Sequence, residues 1–359
     1  MNRLIKNKEF KSLPLFIIST FVLAVEIGFP SYLLYIILVI WGMMNIRMNI
    51  KYDNIIIAFL FLIIVSYARF WQYNERMFLN ITLTLFGICS FMNNKEINVN
   101  IKWLNIVAIF CFFIAHRNEL KTISMFSIST IFIDSSLETE SAMLSFIFPC
   151  FALYYLFNKN WSMYIMNVIL TLLAGKRIAF VGMFLSSIIY FFSLHKSIVF
   201  DKYKSYIPWI AIFFNLFYFI GSYNLANGYF GELIFEYTGL SSNAFTMGRE
   251  SLYADAFSHY DINAFSHFLF GIGNISTFMK SHLHNDIMKI MIENGCILFV
   301  IYWFLFYKNC KVKTLPYLIY LNVLFMTDNT LVYVPVLFFI CFFIRKVNQK
   351  KDYSAIVRI

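Results

Sequence analysis

Residues 286–306 read DIMKIMIENGCILFVIYWFLF, a mostly apolar stretch whose charged side chains all lie in its first half. About 20 such residues in a helix span the hydrocarbon core of a bilayer, so this stretch predicts a membrane-crossing helix. Shorter apolar runs lie at 13–29, 31–46, 54–70, 77–92, 101–115, 141–157, 161–175, 178–194, 206–221, 314–327 and 331–344. Together they predict an all-α polytopic membrane protein with about twelve transmembrane helices, although the last two runs could form one re-entrant pair.

The composition supports the same class of protein. Of 359 residues, 60% are hydrophobic and 13% are charged, whereas about a quarter of the residues of a soluble domain are charged. This excludes a water-soluble globular protein and predicts a single integral membrane domain over residues 1–359. The net charge of +10 does not indicate nucleic acid as a partner, because the Lys and Arg residues lie between apolar runs and at both ends.

The distribution of basic residues predicts the orientation in the membrane. With a cytoplasmic N-terminus and alternating loops, most of the 29 Lys and Arg residues fall on the inside, as the positive-inside rule requires. An even number of crossings then places both termini in the cytoplasm. The basic residues on or near the outer face are Arg69, Arg76, Arg117, Lys121, Lys176, Arg177, Arg249, Lys280 and Lys289.

A large outer loop over about 222–285 is the best location for chemistry. It is rich in glycine and carries His259, His267, His282 and His284. Long loops between secondary-structure elements are uncommon unless they are functional or disordered. A helical pattern over 250–259 interrupts this loop. The Gly271-Ile272-Gly273-Asn274 stretch predicts a turn rather than a dinucleotide site, because no βαβ unit surrounds it.

Two groups of cations could bind an anion. Lys176 and Arg177 follow Gly175 between two apolar runs, where charges are costly unless they are paired or functional. A Lys–Arg pair can bind phosphate, Arg as a bidentate donor and Lys as a point charge. The alternative is a solvated hairpin tip, or a pair neutralised by an outer carboxylate. Arg249 offers a second anion ligand, or else a solvated loop charge.

His284 is the candidate proton acceptor. It lies in Ser281-His282-Leu283-His284-Asn285-Asp286, at the point where the large loop meets the apolar run. Imidazole titrates near neutral pH, and Asp286 or another outer acid could orient it. The His-x-His spacing could also suggest a metal, but no third ligand is evident, so we predict no metal site.

These motifs resemble those of the O-antigen polymerase and ligase family. The stretch His284-Asn285-Asp286-Ile287-Met288, followed by Glu293-Asn294-Gly295, is similar to the His-Asn-x-x-Leu … Gly signature of that family. Gly175-Lys176-Arg177 resembles the Ser/Gly-x-Arg hairpin before its large periplasmic loop. Gly271-x-Gly273 also matches, and the helix layout extends the resemblance over the whole chain.

The resemblance implies a C-type membrane glycosyltransferase in a bacterial inner membrane that uses no metal or nucleotide cofactor. Its substrates would be oligosaccharides linked to undecaprenyl diphosphate, held in an apolar groove, and its partners membrane lipid and a chain-length regulator. His284 would be the base, Lys176, Arg177 and Arg249 the diphosphate ligands, and Asn285 and Asp286 supporting residues. A ligase that transfers the glycan to another acceptor, and a flippase or transporter, remain alternatives.

Overall fold

The computed structural model describes residues 61, 64–65, 100–115, 143–195, 202–246, 248–279, 283–308, 310–328 and 330–349. Within these ranges the regular elements are helices and no strand occurs, which confirms the all-α prediction for this part of the chain. The predicted crossings at 13–29, 31–46 and 77–92, and nearly all of 54–70, lie outside the described residues.

The helices lie in chain order as follows. They are α1 (Ile101–Ala115), α2 (Leu144–Phe157), α3 (Trp161–Leu173), α4 (Arg177–His195), α5 (Ile207–Ala226), α6 (Gly231–Thr238), α7 (Ser242–Phe245), α8 (Arg249–His259), α9 (Phe265–Phe270), α10 (Asp286–Tyr307), α11 (Leu315–Thr327) and α12 (Val334–Gln349). Short 3₁₀ helices occupy Lys204–Tyr206, Ile275–Thr277 and Thr330–Val332. Each predicted apolar run from 101 onward is therefore a helix, and α8 confirms the pattern predicted over 250–259.

Helix α5 is longer than the sequence pattern predicts. It continues to Ala226, five residues beyond the predicted end at 221. The Ser222 hydroxyl donates to the Tyr218 carbonyl at 3.0 Å and the Asn227 amide to the Tyr223 carbonyl at 2.9 Å. Such bonds to a carbonyl one turn back let polar side chains stay within a helix, so the polar residues after Gly221 do not end it.

In the part of the chain that the structure describes, two helices are long and apolar enough to cross a membrane. They are Lys204–Ala226, with a mean hydropathy of 1.3, and Asp286–Tyr307, with a mean hydropathy of 1.8. Shorter apolar helices cover Ile101–Ile114, Leu144–Phe157, Trp161–Leu173, Arg177–Phe192 and Leu315–Thr327. Large apolar side chains on several of these helices are exposed, including Phe213 at 73% and Phe217 at 67%. Exposed apolar surface of this extent marks contact with lipid or with another protein.

Tyrosine hydroxyls fix how α2 and α11 pack. Tyr317 donates to the Cys150 carbonyl at 3.3 Å, and Tyr320 donates to the Phe146 carbonyl at 2.8 Å. The tyrosine later in α11 bonds the carbonyl that is earlier in α2, so the two helices are antiparallel. Both tyrosines are fully buried, and the bonds satisfy hydroxyls that would be costly to bury unpaired.

Helices α3 and α4 form a second antiparallel pair. The Tyr164 hydroxyl contacts Ser187 at 3.2 Å, and the Thr171 hydroxyl contacts the Met183 sulfur at 3.9 Å. Helix α3 also packs against α2 across the short turn at 158–160. Helix α4 therefore runs parallel to α2 and antiparallel to α11, and its N-terminus lies at the end of the bundle where α11 terminates.

Helix α10 is kinked at Gly295, whose φ of 77° and ψ of 174° are not helical. The turn predicted at Gly271 packs against this kink, and both glycines have positive φ. Ile272 N–H donates to the Ile292 carbonyl at 2.9 Å and Gly273 N–H to the Glu293 carbonyl at 3.2 Å. The turn thus supplies donors for carbonyls that the kink removes from the helical ladder.

The close packing explains why glycines occupy both sides of this contact. A Cβ atom added at Gly295 would lie 2.3 Å from the Leu269 carbonyl oxygen, and one at Gly271 would lie 2.5 Å from the Glu293 backbone. Neither distance is compatible with a side chain. The Gly-x-Gly and Glu-Asn-Gly motifs are therefore two halves of one backbone contact between the large loop and α10.

Candidate functional site

Six polar side chains lie where α5, α8, α10 and α11 meet, and they are linked partly by side-chain hydrogen bonds and partly through adjacent residues of the chain. We refer to them as the polar cluster, which consists of Tyr218, Arg249, Tyr253, His284, Asn285 and Asp328. Sequence reasoning identified Arg249, His284 and Asn285 as site residues, and the structure brings these three together. Arg249 comes from a different part of the chain from the adjacent His284 and Asn285, so its place in the cluster depends on the fold rather than on one motif.

Asn285 is the centre of the polar cluster and is fully buried. Its side-chain oxygen accepts a bond from Met288 N–H at 2.9 Å, which caps the N-terminus of α10. Its amide nitrogen donates to the hydroxyls of Tyr253 at 3.1 Å and Tyr218 at 3.2 Å. The His-Asn motif therefore joins the start of α10 to α5 and α8.

His284 pairs with Asp328 rather than with the neighbouring acid Asp286. Its Nδ1 atom lies 3.5 Å from the Asp328 Oδ1 atom, and the Tyr333 hydroxyl donates to the same oxygen at 3.3 Å. The His284 side chain is 48% exposed, while that of Asp328 is 9% exposed. One face of the imidazole thus meets a largely buried carboxylate, and the other remains accessible to a ligand.

Asp286 supports the site through the backbone. Its Oδ2 atom accepts a bond from Leu331 N–H at 2.8 Å, and its side chain is buried. Leu331 lies in the 3₁₀ turn that follows Asp328. Asp286 therefore holds the segment that follows Asp328, the partner of His284.

Arg249 binds the end of α11. It is the first residue of α8, directly after Gly248 with its positive φ of 81°. Its Nη2 atom donates to the Thr327 carbonyl at 3.0 Å, and the Tyr218 hydroxyl donates to the adjacent Met326 carbonyl. A cation at the C-terminus of a helix is itself stabilising, so Arg249 has a structural role. A guanidinium has five N–H donors, and the bond to the Thr327 carbonyl uses the Nη2 group.

An open groove of about 490 Å³ has Arg249 in its lining. Tyr218, Tyr253 and Thr327 also line it. The rest of the lining is largely apolar and comes from Phe214, Phe217, Gly221, Leu225, Phe230, Phe245 and Met326, with Ser222 and Thr246. A groove with a largely apolar lining and one cationic side chain suits an amphiphile with an anionic head.

Lys176 and Arg177 lie at the same end of the bundle but on another side of α11. Gly182 of α4 packs against Tyr320 and Val323 of α11, at 3.0–3.3 Å from where its Cβ would lie. Arg177 is five residues before Gly182, about 7.5 Å along the axis, which brings it level with the end of the antiparallel α11. Asn322, on a different face of α11, bonds Asn215 of α5. Helix α11 thus stands between this cation pair and α5.

The other titratable groups of the large loop have local roles. His267 Nδ1 accepts a bond from Asp261 N–H at 3.2 Å, and the His259 ring stacks on Phe278 at 5.4 Å. Burial raises the pKa of Tyr260 to about 12, so its hydroxyl stays protonated at neutral pH. His282 lies outside the described residues. Of the loop histidines in the described part, His284 is the one paired with a carboxylate.

Sequence reasoning missed both tyrosines of the polar cluster. Tyr253 follows Arg249 by one helical turn in the predicted pattern, which was a usable signal. Tyr218 lies within an apolar run and carried none. The pairing of Asp328 with a histidine 44 positions earlier could not be read from spacing.

Comparison of the chain with protein families, curated proteins and solved structures gives no match.

Proposed function

We propose that the chain is a membrane glycosyltransferase of the O-antigen polymerase type, which joins lipid-linked oligosaccharide repeat units into a surface polysaccharide. The proposal rests on one observation: Arg249 lines a largely apolar groove and bonds the carbonyl of Thr327, the residue before Asp328, which is the partner of His284. Glycosyl transfer from a lipid diphosphate requires three features of the protein. They are a proton acceptor, a ligand for the diphosphate and a groove for the lipid tail.

His284 acts as the general base in the proposed reaction. An acceptor sugar hydroxyl attacks the anomeric carbon of a glycan on undecaprenyl diphosphate, and the bond from that carbon to the diphosphate oxygen breaks. The hydroxyl proton passes to the His284 ring nitrogen that does not face Asp328. The carboxylate then stabilises the imidazolium that forms, as a buried acid does beside other catalytic histidines.

The cations balance the charge of the leaving group. Negative charge develops on the diphosphate as its bond to the sugar breaks, and fixed cations in a water-poor site stabilise that charge. We assign Arg249 to this role from its place in the groove. Lys176 and Arg177 are assigned from their position at the same end of the bundle, and no metal or nucleotide cofactor is assigned.

The proposal places this site on the outer face of the bacterial inner membrane. About twelve crossings put both termini in the cytoplasm and the large loop, α6–α9, outside. The two long apolar helices and the exposed aromatic side chains of α5 support membrane insertion. Membrane lipid and a chain-length regulator are the proposed partners besides the lipid-linked substrate.

Reconstitution of the purified chain with a lipid-linked repeat unit tests the proposal. We expect a ladder of glycans on the lipid, and we expect His284→Ala to lower its rate by ~10²–10⁴-fold, the usual effect of losing a general base. His259→Ala is the matched control, because His259 is exposed and lies outside the polar cluster. Arg249→Ala should lower activity as well.

Other products would identify another activity. Transfer of preformed glycan to a different acceptor, with no ladder, would show a ligase. Movement of the lipid-linked unit across the bilayer without any new glycosidic bond would show a transporter. A full ladder from His284→Ala at equal protein level would remove the assignment of His284 as base.

A further inference from the structure

Helix α6 presents large apolar side chains to its surroundings. None of its eight residues is buried, and Leu233, Phe235 and Tyr237 are 57%, 62% and 79% exposed. Tyr229, Leu240 and Phe245 on either side are also exposed. A soluble surface rarely carries so many neighbouring aromatic and aliphatic side chains, so this face requires a partner.

The sequence of α6 separates its charges from its apolar side chains. Glu232 and Glu236 are one helical turn apart and share a face. With 3.6 residues per turn, Ile234 and Tyr237 lie on the opposite side of the helix, while Leu233 and Phe235 flank the narrow acidic stripe. Helix α6 is therefore amphipathic, and such helices lie in the plane of a membrane interface with the apolar face towards the acyl chains.

The surroundings of α6 favour lipid as the partner. It begins five residues after the end of α5, a helix long enough to cross a membrane whose Phe213 and Phe217 are exposed. The exposed face of α5 contacts acyl chains in the proposed membrane crossing. Helix α6, with its apolar surface, is the next helix in the chain. Tyrosine is enriched at this depth of a membrane, in agreement with Tyr229 and Tyr237.

Helix α6 is also tied to the groove. Phe230 precedes it and Phe245 follows it, and both line the groove together with Arg249. We infer that α6 lies on the bilayer surface with its apolar face among the lipids and its carboxylates towards water, and so holds this wall of the groove at the membrane. This inference rests on the membrane crossing of α5 in the proposed function. The polar face is acidic, so the attraction is apolar and needs no anionic lipid.

Spin labels can measure the depth of each face of α6. The full-length chain is labelled at Leu233→Cys, Tyr237→Cys, Glu232→Cys or Glu236→Cys and reconstituted in phosphatidylcholine–phosphatidylethanolamine vesicles. The signal of the similarly treated wild type is subtracted. Oxygen concentrates in acyl chains, whereas a nickel chelate stays in water. We expect the oxygen-to-nickel collision ratio to be severalfold higher at 233 and 237 than at 232 and 236.

A label at Phe213→Cys in α5 distinguishes a failure of the inference for α6 from a failure of the membrane crossing by α5. A lipid-like ratio there, with water-like ratios at both 233 and 237, would overturn the inference for α6 and leave the membrane crossing intact. A water-like ratio at 213 would overturn the crossing and the proposed function with it. Low collision rates with both reagents at 233 and 237 would show a second copy of the chain covering α6 instead of lipid.

Discussion

At the scale of single residues, the site depends on contacts that set the orientation of a few side chains. The Nδ1 atom of His284 faces Asp328, so the tautomer with an accessible acceptor nitrogen is favoured. Arg249 holds the end of α11 with part of its guanidinium. The partner of His284 is a side chain that can be changed without altering the imidazole itself, and this allows its position to be tested apart from its chemistry.

We expect Asp328→Asn to lower the rate of glycan formation but less than His284→Ala does. Asparagine has the size of aspartate and can still accept a hydrogen bond from Nδ1–H, but it provides no charge to stabilise the imidazolium. Initial rates at saturating lipid-linked substrate measure the effect. Equal rates for Asp328→Asn and wild type would show that the pair is structural.

We expect Arg177→Ala to abolish polymer and Arg177→Lys to restore little of it. Lysine keeps the charge but loses the planar fork that binds two phosphate oxygens at once. Glycan chains resolved on a gel, at matched membrane abundance, provide the measurement. Lys159→Ala is the control, because Lys159 is an exposed cation in the turn between α2 and α3. A normal ladder from Arg177→Ala would identify the 175–177 hairpin as a solvated turn.

At the scale of helices and turns, the sequence predicts where most helices lie but not how they are joined. Apolar run length predicts α1 to α5 and α10 to α12 closely, because burial in a bilayer depends mainly on length and composition. The kink of α10 was not predicted, since Gly295 within an apolar run also suits a straight helix. Likewise, Asn215 and Asn322 lie in separate runs, and their pairing becomes evident only from the packing of α5 on α11.

We expect Gly295→Ala to destabilise the protein strongly. A residue with φ of 77° and ψ of 174° is in a region open essentially to glycine alone, and the added Cβ would overlap the Leu269 carbonyl. The strain costs about 1–3 kcal/mol before the overlap is counted. The melting temperature in detergent should fall well below that of Gly231→Ala, a helical control with open space around it. Equal melting temperatures would show that the kink can relax.

The buried Asn215–Asn322 pair should behave as a coupled unit. Each amide nitrogen donates to the oxygen of the other side chain, at 3.0 and 2.9 Å. Either single change to leucine leaves a buried amide unpaired, so both should destabilise, and the double variant should recover part of the loss. Hydrogen bonds between membrane helices couple by about 0.6 kcal/mol, up to ~1.7 kcal/mol. A denaturation cycle over the four proteins measures this, and additive losses would contradict it.

At the scale of the whole molecule, the two ends of α5 should lie on opposite sides of the membrane. Ser205 and Ser258 are both exposed and flank this helix in the chain. A membrane-impermeant maleimide should label Ser258→Cys in intact spheroplasts and Ser205→Cys only after the inner membrane is opened. The reverse pattern would invert the topology, and labelling of both in intact cells would contradict a crossing by α5.

The contact between Gly271 and Gly295 also constrains how the chain is assembled during synthesis. Residues 265–275 leave the ribosome before α10 and, in the proposed topology, are exported ahead of it. When α10 then enters the bilayer, its kink exposes the carbonyls of Ile292 and Glu293 to an environment without water. The N–H groups of Ile272 and Gly273, which donate to these two carbonyls, lie on the segment that is exported first. Formation of the kink in α10 and docking of the Gly271 turn against it are therefore coupled.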